Sequence, residues 1–472
     1  MTRSLRAWYS RGASLLLAAT LGAQTSIVKF DHPPTVTPAA GNAVLRQIAR
    51  QISAAHIHAD QVALVGFGTR LATKETSSTT TGTAAARAWV VAQFKKSSAA
   101  SGDRLRVRVD TFPVPPGLSM PSGLSMANVV ATLPGDNPND HRVYVMGGDY
   151  DTIGGFSGGT GTQTPTVGPG ANDDASGVAV ALELARVMSR FHFSATLEFI
   201  AFDGEEEGLY GAYHDAEQAK ADHQDVAAML DDDIVGGDNT PGHANTNKMR
   251  VYSEGVPQNA TPSEILRLAT IGGENDSPSR ELGRYASGMA ALYLPAFQVV
   301  QEYRRDRFGR GGDDTAYLQN GFAAVRMSDY DENYDHQHQW VRMYNGVQFG
   351  DMLKFTTPSY TANVARVNAL TLGGLALAPP TPSPLMQHRD GWGTHLSWPA
   401  VPGAVSYRVL LRPTAAPQWA QRLVVHGTSI NIVQTLDDYI MGVVAVGTAG
   451  TESLPAIPHA RASTLASPFP PR

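Results

Sequence analysis

GANDDASGVAVALELARVMSRFHFSATLEFIAFDGEEEGLYGA, residues 170–212, carries the pattern of a helix, a strand and a second helix in succession. Residues 176–190 repeat apolar side chains at helical spacing behind Asp and Ser, which predicts a capped helix. Residues 195–202, ATLEFIAF, read as a strand, and residues 209–220 as the next helix. Working outward, residues 42–59 and 82–95 carry helical periodicity, and residues 105–111, 127–133 and 142–146 read as strands. Residues 226–230 lead into a further strand. Strands alternating with helices predict an α/β fold: a mostly parallel central sheet flanked by helices.

The flanks differ in texture. Residues 154–170 are rich in Gly and Pro and predict a long loop of the kind that often carries function. After Pro379-Pro380-Thr381-Pro382 come short β-rich runs, THLSWPAV, SYRVLLR and IMGVVAVG, with turn signals between them. They predict an all-β sandwich over residues 383–472. At the other end, Arg3, Arg6 and Arg11 precede the apolar run of residues 13–21 and Gly22-Ala23-Gln24. That is the pattern of a signal peptide over residues 1–23, and it predicts a secreted or periplasmic protein. The run is too short to span a bilayer, and no later one is long enough.

The chain has 472 residues, which suits two or three domains, and 42% hydrophobic residues, enough for a large core. A net charge of −6 points away from nucleic acid and anionic membranes. Cysteine is absent, so disulfides, thiolate metal sites and thiol nucleophiles are excluded, and any metal must be held by Asp, Glu and His.

Acidic clusters recur behind the predicted strands and before the predicted helix. They are Asp149-Tyr150-Asp151, Asn172-Asp173-Asp174, Asp203-Gly204-Glu205-Glu206-Glu207 and Asp231-Asp232-Asp233; Tyr334-Asp335-His336-Gln337-His338 adds imidazoles downstream. Singly, each has an ordinary explanation as a helix cap, a solvated helix start or a turn. Jointly they place many carboxylates beyond the carboxyl ends of strands, where ligands sit in open α/β sheets. Like charges so close repel and raise one another's pKa values. Divalent ions would resolve that conflict, and carboxylate oxygen with imidazole nitrogen suits zinc.

These motifs give the chain a resemblance. Over roughly residues 40–375 it resembles the secreted two-zinc aminopeptidases, a family that includes bacterial leucyl aminopeptidase and, more distantly, glutamate carboxypeptidase II. The most specific matches are GANDDASGVA (170–179), EEEGLYGA (205–212) and DIVG (233–236), with FGTR (67–70), RDRFGRGGD (305–313) and HQHQ (336–339) in the same order. The resemblance implies a zinc peptidase domain over residues 24–378, two Zn²⁺ ions and a peptide substrate, and leaves the oligomeric state open. Asp173 then looks like the carboxylate bridging the ions, Glu206 a ligand of one, Asp233 a ligand of the other, and Glu205 the general base. His336 looks like the downstream ligand, with His338 as its nearby rival. The C-terminal segment resembles a fibronectin type III-like sandwich, with Trp398 and Tyr407 as its buried aromatics.

The sequence departs from the family where the first motif would read Gly-His-Tyr-Asp-Ser. Asp149 occupies the slot of the metal-ligating His, and Asp151, which would orient that His, loses its usual partner. An Asp at 149 can still ligate, but it weakens that position or tunes it toward a harder ion such as Mn²⁺. Asp314 and Trp340 replace a common His and a common Asp. The main expectation is hydrolysis that removes N-terminal residues from peptides. The alternatives are a catalytically impaired binding protein on a peptidase scaffold, and a single-zinc glutaminyl cyclase-like transferase.

Overall fold

The computed structural model describes residues 41–74, 78–116, 123–153 and 167–458. The expected signal peptide and most of the 154–170 loop lie outside the described residues.

Eight strands form the central sheet: β1 (Arg106–Val114), β2 (Leu124–Leu133), β3 (Arg142–Asp149), β4 (Thr196–Phe202), β5 (Asp225–Asp232), β6 (Lys248–Ser253), β7 (Gln298–Glu302) and β8 (Ala324–Asp329). Their order is β1-β2-β4-β3-β5-β8-β6-β7. The inner four, β4-β3-β5-β8, are parallel, as expected for strands joined through helices. The sheet is mixed overall, because β1, β2 and β4 pair antiparallel on one side and β6 pairs antiparallel with β8 on the other.

The helices are α1 (Ala43–Gln51), α2 (Ala54–Gly66), α3 (Gly82–Ala100), α4 (Ala175–Met188), α5 (Tyr210–Ala221), α6 (Pro262–Ile271), α7 (Pro278–Tyr293), α8 (Asp314–Asn320) and α9 (Pro358–Leu377). Two apolar clusters, one on each face of the sheet, bury its side chains. The larger takes in α4 and α9, which are buried along nearly their whole length. Among the described residues no helix is long and apolar enough to cross a membrane.

The periodicity over residues 42–59 resolves into two helices instead of one. Ser53 caps α2 by accepting from the His56 amide at 3.3 Å, while its own amide donates to Glu183 on α4 at 2.6 Å. A side chain that caps and a backbone turned outward toward a buried carboxylate interrupt the helix, although the apolar spacing runs on.

Beyond a small hairpin, β9 (Arg342–Tyr344) with β10 (Val347–Phe349), six strands follow α9. They are β11 (Met386–Asp390), β12 (Gly393–Ser397), β13 (Ala404–Pro413), β14 (Gln421–Val425), β15 (Ser429–Ile432) and β16 (Tyr439–Gly447). They form two three-stranded antiparallel sheets, β11-β12-β15 and β14-β13-β16, whose facing side chains share one core. Trp398 and Tyr407 lie in that core, 5.4 Å apart between ring centroids and edge to face. The unit is tied to α7 and its approach by Arg412 paired with Asp276 and by the Trp419 indole donating to Glu281 at 3.0 Å.

Arg70 holds the base of the site. It is fully buried and donates to the carbonyls of Tyr150 (2.6 Å), Pro169 (2.7 Å), Leu64 (3.1 Å) and Gly170 (3.1 Å). It thereby fastens the segment after β3 to the segment before α4. Arg70→Ala would leave the Tyr150 and Pro169 carbonyls without a donor, since Leu64 and Gly170 keep the amides of Phe67 and Ala175, and it would open a cavity. Each orphaned group costs ~1–3 kcal/mol, so a loss of about 3 kcal/mol or more is expected, read as a fall in the urea midpoint. An unchanged midpoint would refute this role.

Candidate metal centre

The carboxyl ends of β3, β4 and β5 and the start of α4 meet at one place, and this convergence assembles the site. Gly148 and Gly177 allow the close approach. A Cβ at Gly177 would fall 2.0 Å from the Asp232 carbonyl oxygen, and one at Gly148 would fall 2.5 Å from Asp174. Only glycine lets the N-terminal turn of α4 seat against the strands. Asp174 caps α4, accepting from the Gly177 amide at 2.8 Å.

The residue before it, Asp173, is aimed into the site by Asp351. That carboxylate accepts from the amides of Asn172 (2.9 Å) and Asp173 (2.7 Å). Asp329 fixes the same turn from the other side, accepting from the Asn172 side chain at 2.8 Å and from the Gly237 amide at 3.0 Å. Asp351 and Asp329 were not singled out in the sequence. They sit far from the motifs they serve, and only the fold brings them there.

One carboxylate oxygen from each of Asp173 and Glu206 and one ring nitrogen of His338 lie within 4.8 Å of one another. His338 Nε2 is 2.9 Å from Asp173 and 3.2 Å from Glu206. Burial opposes charge on this imidazole, but Glu206 and Asp173 outweigh it and push its pKa up to about 10. Burial likewise opposes ionisation of Asp173, yet the His338 cation, with Arg310 and Arg307 behind it, holds that carboxyl well below the usual range. Two carboxylates and an imidazole grouped around one point are a donor set that suits zinc.

His336 was expected to supply this imidazole, and the geometry places it elsewhere. Its Nδ1 pairs with Asp238 and its ring stacks on Phe355 with centroids 3.6 Å apart. The backbone turns tightly here, with the Gln337 amide donating to the Asn333 carbonyl, and His338 takes a φ of +52°. The two side chains therefore part, and the second one faces the carboxylates.

Asp151 is fully buried and accepts from the amides of Gly204 (2.8 Å), Glu205 (3.1 Å) and Glu206 (3.4 Å). With no His at position 149 to orient, it holds the turn after β4 and so sets where Glu205 and Glu206 point. Glu205 is half-buried, and desolvation together with the Asp233 and Glu206 carboxylates pushes its pKa well above the usual carboxylate range.

Asp149 and Asp233, expected to hold a second ion, are not part of the three-atom group. Asp149 is buried, and desolvation and the neighbouring carboxylates Glu205, Asp174 and Asp151 push its pKa up. Asp233 precedes Ile234, a β-branched residue held at φ +61°, a conformation that stores strain. Its Oδ2 lies 2.6 Å from Nη2 of Arg326 on β8. A zinc ion on that carboxylate would face a fixed guanidinium close by, so these residues do not fit a second zinc as they fit the first. Arg326 was also missed in the sequence, although its position offered a signal: an arginine in the middle of AVRMSD, a strand buried at every residue.

Asp314 starts α8, and its amide donates to Asp231 at 3.2 Å. Asp313 beside it is buried with both carboxyl oxygens lacking a hydrogen-bond partner. Trp340 lies under the guanidinium of Arg342, 4.7 Å from its ring centroid.

Comparison with known proteins agrees with this architecture. The family model described as peptidase family M28 matches residues 128–340. A probable zinc metalloprotease of Leptosphaeria maculans is 37% identical over 88% of this chain and 96% of its own length. Another from Pyrenophora teres f. teres is 36% identical over 94% of this chain and 93% of its own. Among solved structures, the LapA aminopeptidase of Legionella pneumophila is similar in fold, with a TM-score of 0.50 at 18% identity over 73% of this chain and 78% of that one. A sheet that gathers carboxylates and an imidazole at its carboxyl edge, in a chain alike over nearly its full length to zinc metalloproteases, leads to one conclusion: the chain belongs to peptidase family M28, a zinc metallopeptidase.

Proposed function

We propose that the chain is an aminopeptidase that uses Glu205 as its proton shuttle. The observation that carries this reading is the turn after β4, where Asp151 holds Glu206 beside Asp173 and His338 and presents Glu205 next to them. A zinc ion held by Asp173, Glu206 and His338 would supply Lewis acidity toward the scissile carbonyl and the attacking water. Glu205 accepts the proton from that water and returns it to the leaving amine. Burial and the Asp233 and Glu206 carboxylates beside it raise its affinity for that proton.

Preference for a free N-terminus follows from the surplus of carboxyl groups. Asp149 and Asp313 each keep buried oxygen atoms without a hydrogen-bond partner. An α-ammonium group of a substrate would satisfy such atoms and restore their charge, whereas an acylated N-terminus would leave them unpaired. N-acetylation of a peptide is thus expected to lower kcat/KM by roughly a hundredfold, the scale of a lost charged hydrogen bond of ~3 kcal/mol. Equal cleavage of acetylated and free peptides would overturn the aminopeptidase reading. Cyclisation of N-terminal glutamine in place of hydrolysis would overturn the peptidase mechanism. We read residues 1–23 as an export signal and the C-terminal sheets as a fibronectin type III-like appendage.

A further inference from the structure

We infer that the centre is complete with one divalent ion, and that the Arg326 guanidinium stands where a second ion would otherwise neutralise the surrounding carboxylates. The inference rests on Asp173, Glu206 and His338 being the ligands of the first ion.

Among the described residues, those three form the one group close enough to share an ion. Asp233 gives its Oδ2 to Arg326 at 2.6 Å. The guanidinium is 1% exposed, and its other nitrogen lies 3.3 Å from Asp306 and 2.5 Å from the Gly311 carbonyl oxygen. The backbone is shaped around it as well: a Cβ at Gly312 would fall 2.6 Å from both Arg326 Nη1 and Asp231 Oδ2. Arg326 cannot swing aside to admit an ion without abandoning three partners in a buried pocket. It also carries its charge at every working pH, so its pairing with Asp233 and Asp306 needs no metal. Asp149 fits the same picture: the slot where the family resemblance expects an imidazole holds a carboxylate, and so lacks the nitrogen donor a second zinc would prefer. Asp233 is then a partner of Arg326, and Arg326 is a positioning residue that sets the charge beside Glu205.

The test is zinc stoichiometry by elemental analysis on the full-length mature protein, equilibrated with excess Zn²⁺ and passed over a desalting column. Cobalt-substituted protein is examined in parallel for the magnetic signature of a coupled ion pair. One ion per chain and no coupled signal are expected for the wild type. Asp149→His restores an imidazole while leaving Arg326 in place, and it too should hold one ion. Arg326→Gln, checked for native circular dichroism, should rise from one ion to two. Two ions in the wild type, or a second gained by Asp149→His alone, would overturn the inference, and so would a folded Arg326→Gln that stays at one. His338→Ala distinguishes the two readings. If it still holds the single ion, the ligand assignment fails. If the wild type holds two and His338→Ala one, the assignment stands and the single-ion inference falls.

Discussion

Replacing His338 with alanine is expected to strip the protein of zinc and of activity, whereas replacing His336 leaves both largely in place. His338 Nε2 sits 2.9 Å and 3.2 Å from the two carboxylates that share the ligand group. Alanine there removes the sole nitrogen donor and leaves Asp173 and Glu206 facing each other without a cation. Loss of a group that merely orients a ligand costs ~10–100-fold in metal affinity, and loss of the ligand itself should exceed that. His336 pairs with Asp238 and stacks on Phe355, so His336→Ala should cost about 1–2 kcal/mol of stability with zinc retained. Zinc retention after dialysis and turnover of an aminoacyl-nitroanilide measure both effects. The reverse pattern, with zinc lost from the position 336 variant and kept by the position 338 variant, would show that the ring nearer the carboxylates is not the ligand.

Glu205→Gln is expected to lower kcat by on the order of 10³, within the ~10²–10⁴ range for a general acid–base group, with zinc content unchanged. The two glutamates are adjacent in sequence but differ in task. Glu206 approaches His338, whereas Glu205 takes its strongest influences, after desolvation, from Asp233 and Glu206. Glutamine keeps the size of the side chain and its place on the turn that Asp151 fixes through the amides of 204–206. It cannot accept the proton. KM should therefore change little while kcat collapses. A variant that turns over at the wild-type rate would mean another group moves the proton, and one that loses zinc would mean Glu205 is itself a ligand. The companion Glu206→Gln separates these cases, because it should weaken zinc retention first.

Much of the fold was legible because it rests on local periodicity. The helix after Asp174 and the strand ending at Phe202 lie within two residues of where their apolar spacing puts them. The parallel run β4-β3-β5-β8 follows from strands separated by helices. The break at Ser53 was not legible, because the carboxylate that takes its amide, Glu183, lies on a helix more than a hundred residues on. Nor did alternation of strands and helices reveal the antiparallel flanks, whose pairing depends on which edge each later strand joins.

In the site, the chemistry on offer can be read before folding: no thiols, carboxylates clustered behind strands, two histidines downstream, and an Asp where an imidazole was expected. Which of those groups meet was decided by the tertiary structure. Two histidines separated by one residue present identical chemistry in a sequence. A tight turn and a left-handed backbone at His338 send one to Asp238 and the other to Asp173 and Glu206. Arg326 reaches Asp233 because β5 and β8 are neighbours in the sheet, a pairing of residues ninety-odd positions apart. Metal ligation and charge neutralisation act over a few ångströms, and distances of that kind between remote residues exist only once the chain has folded.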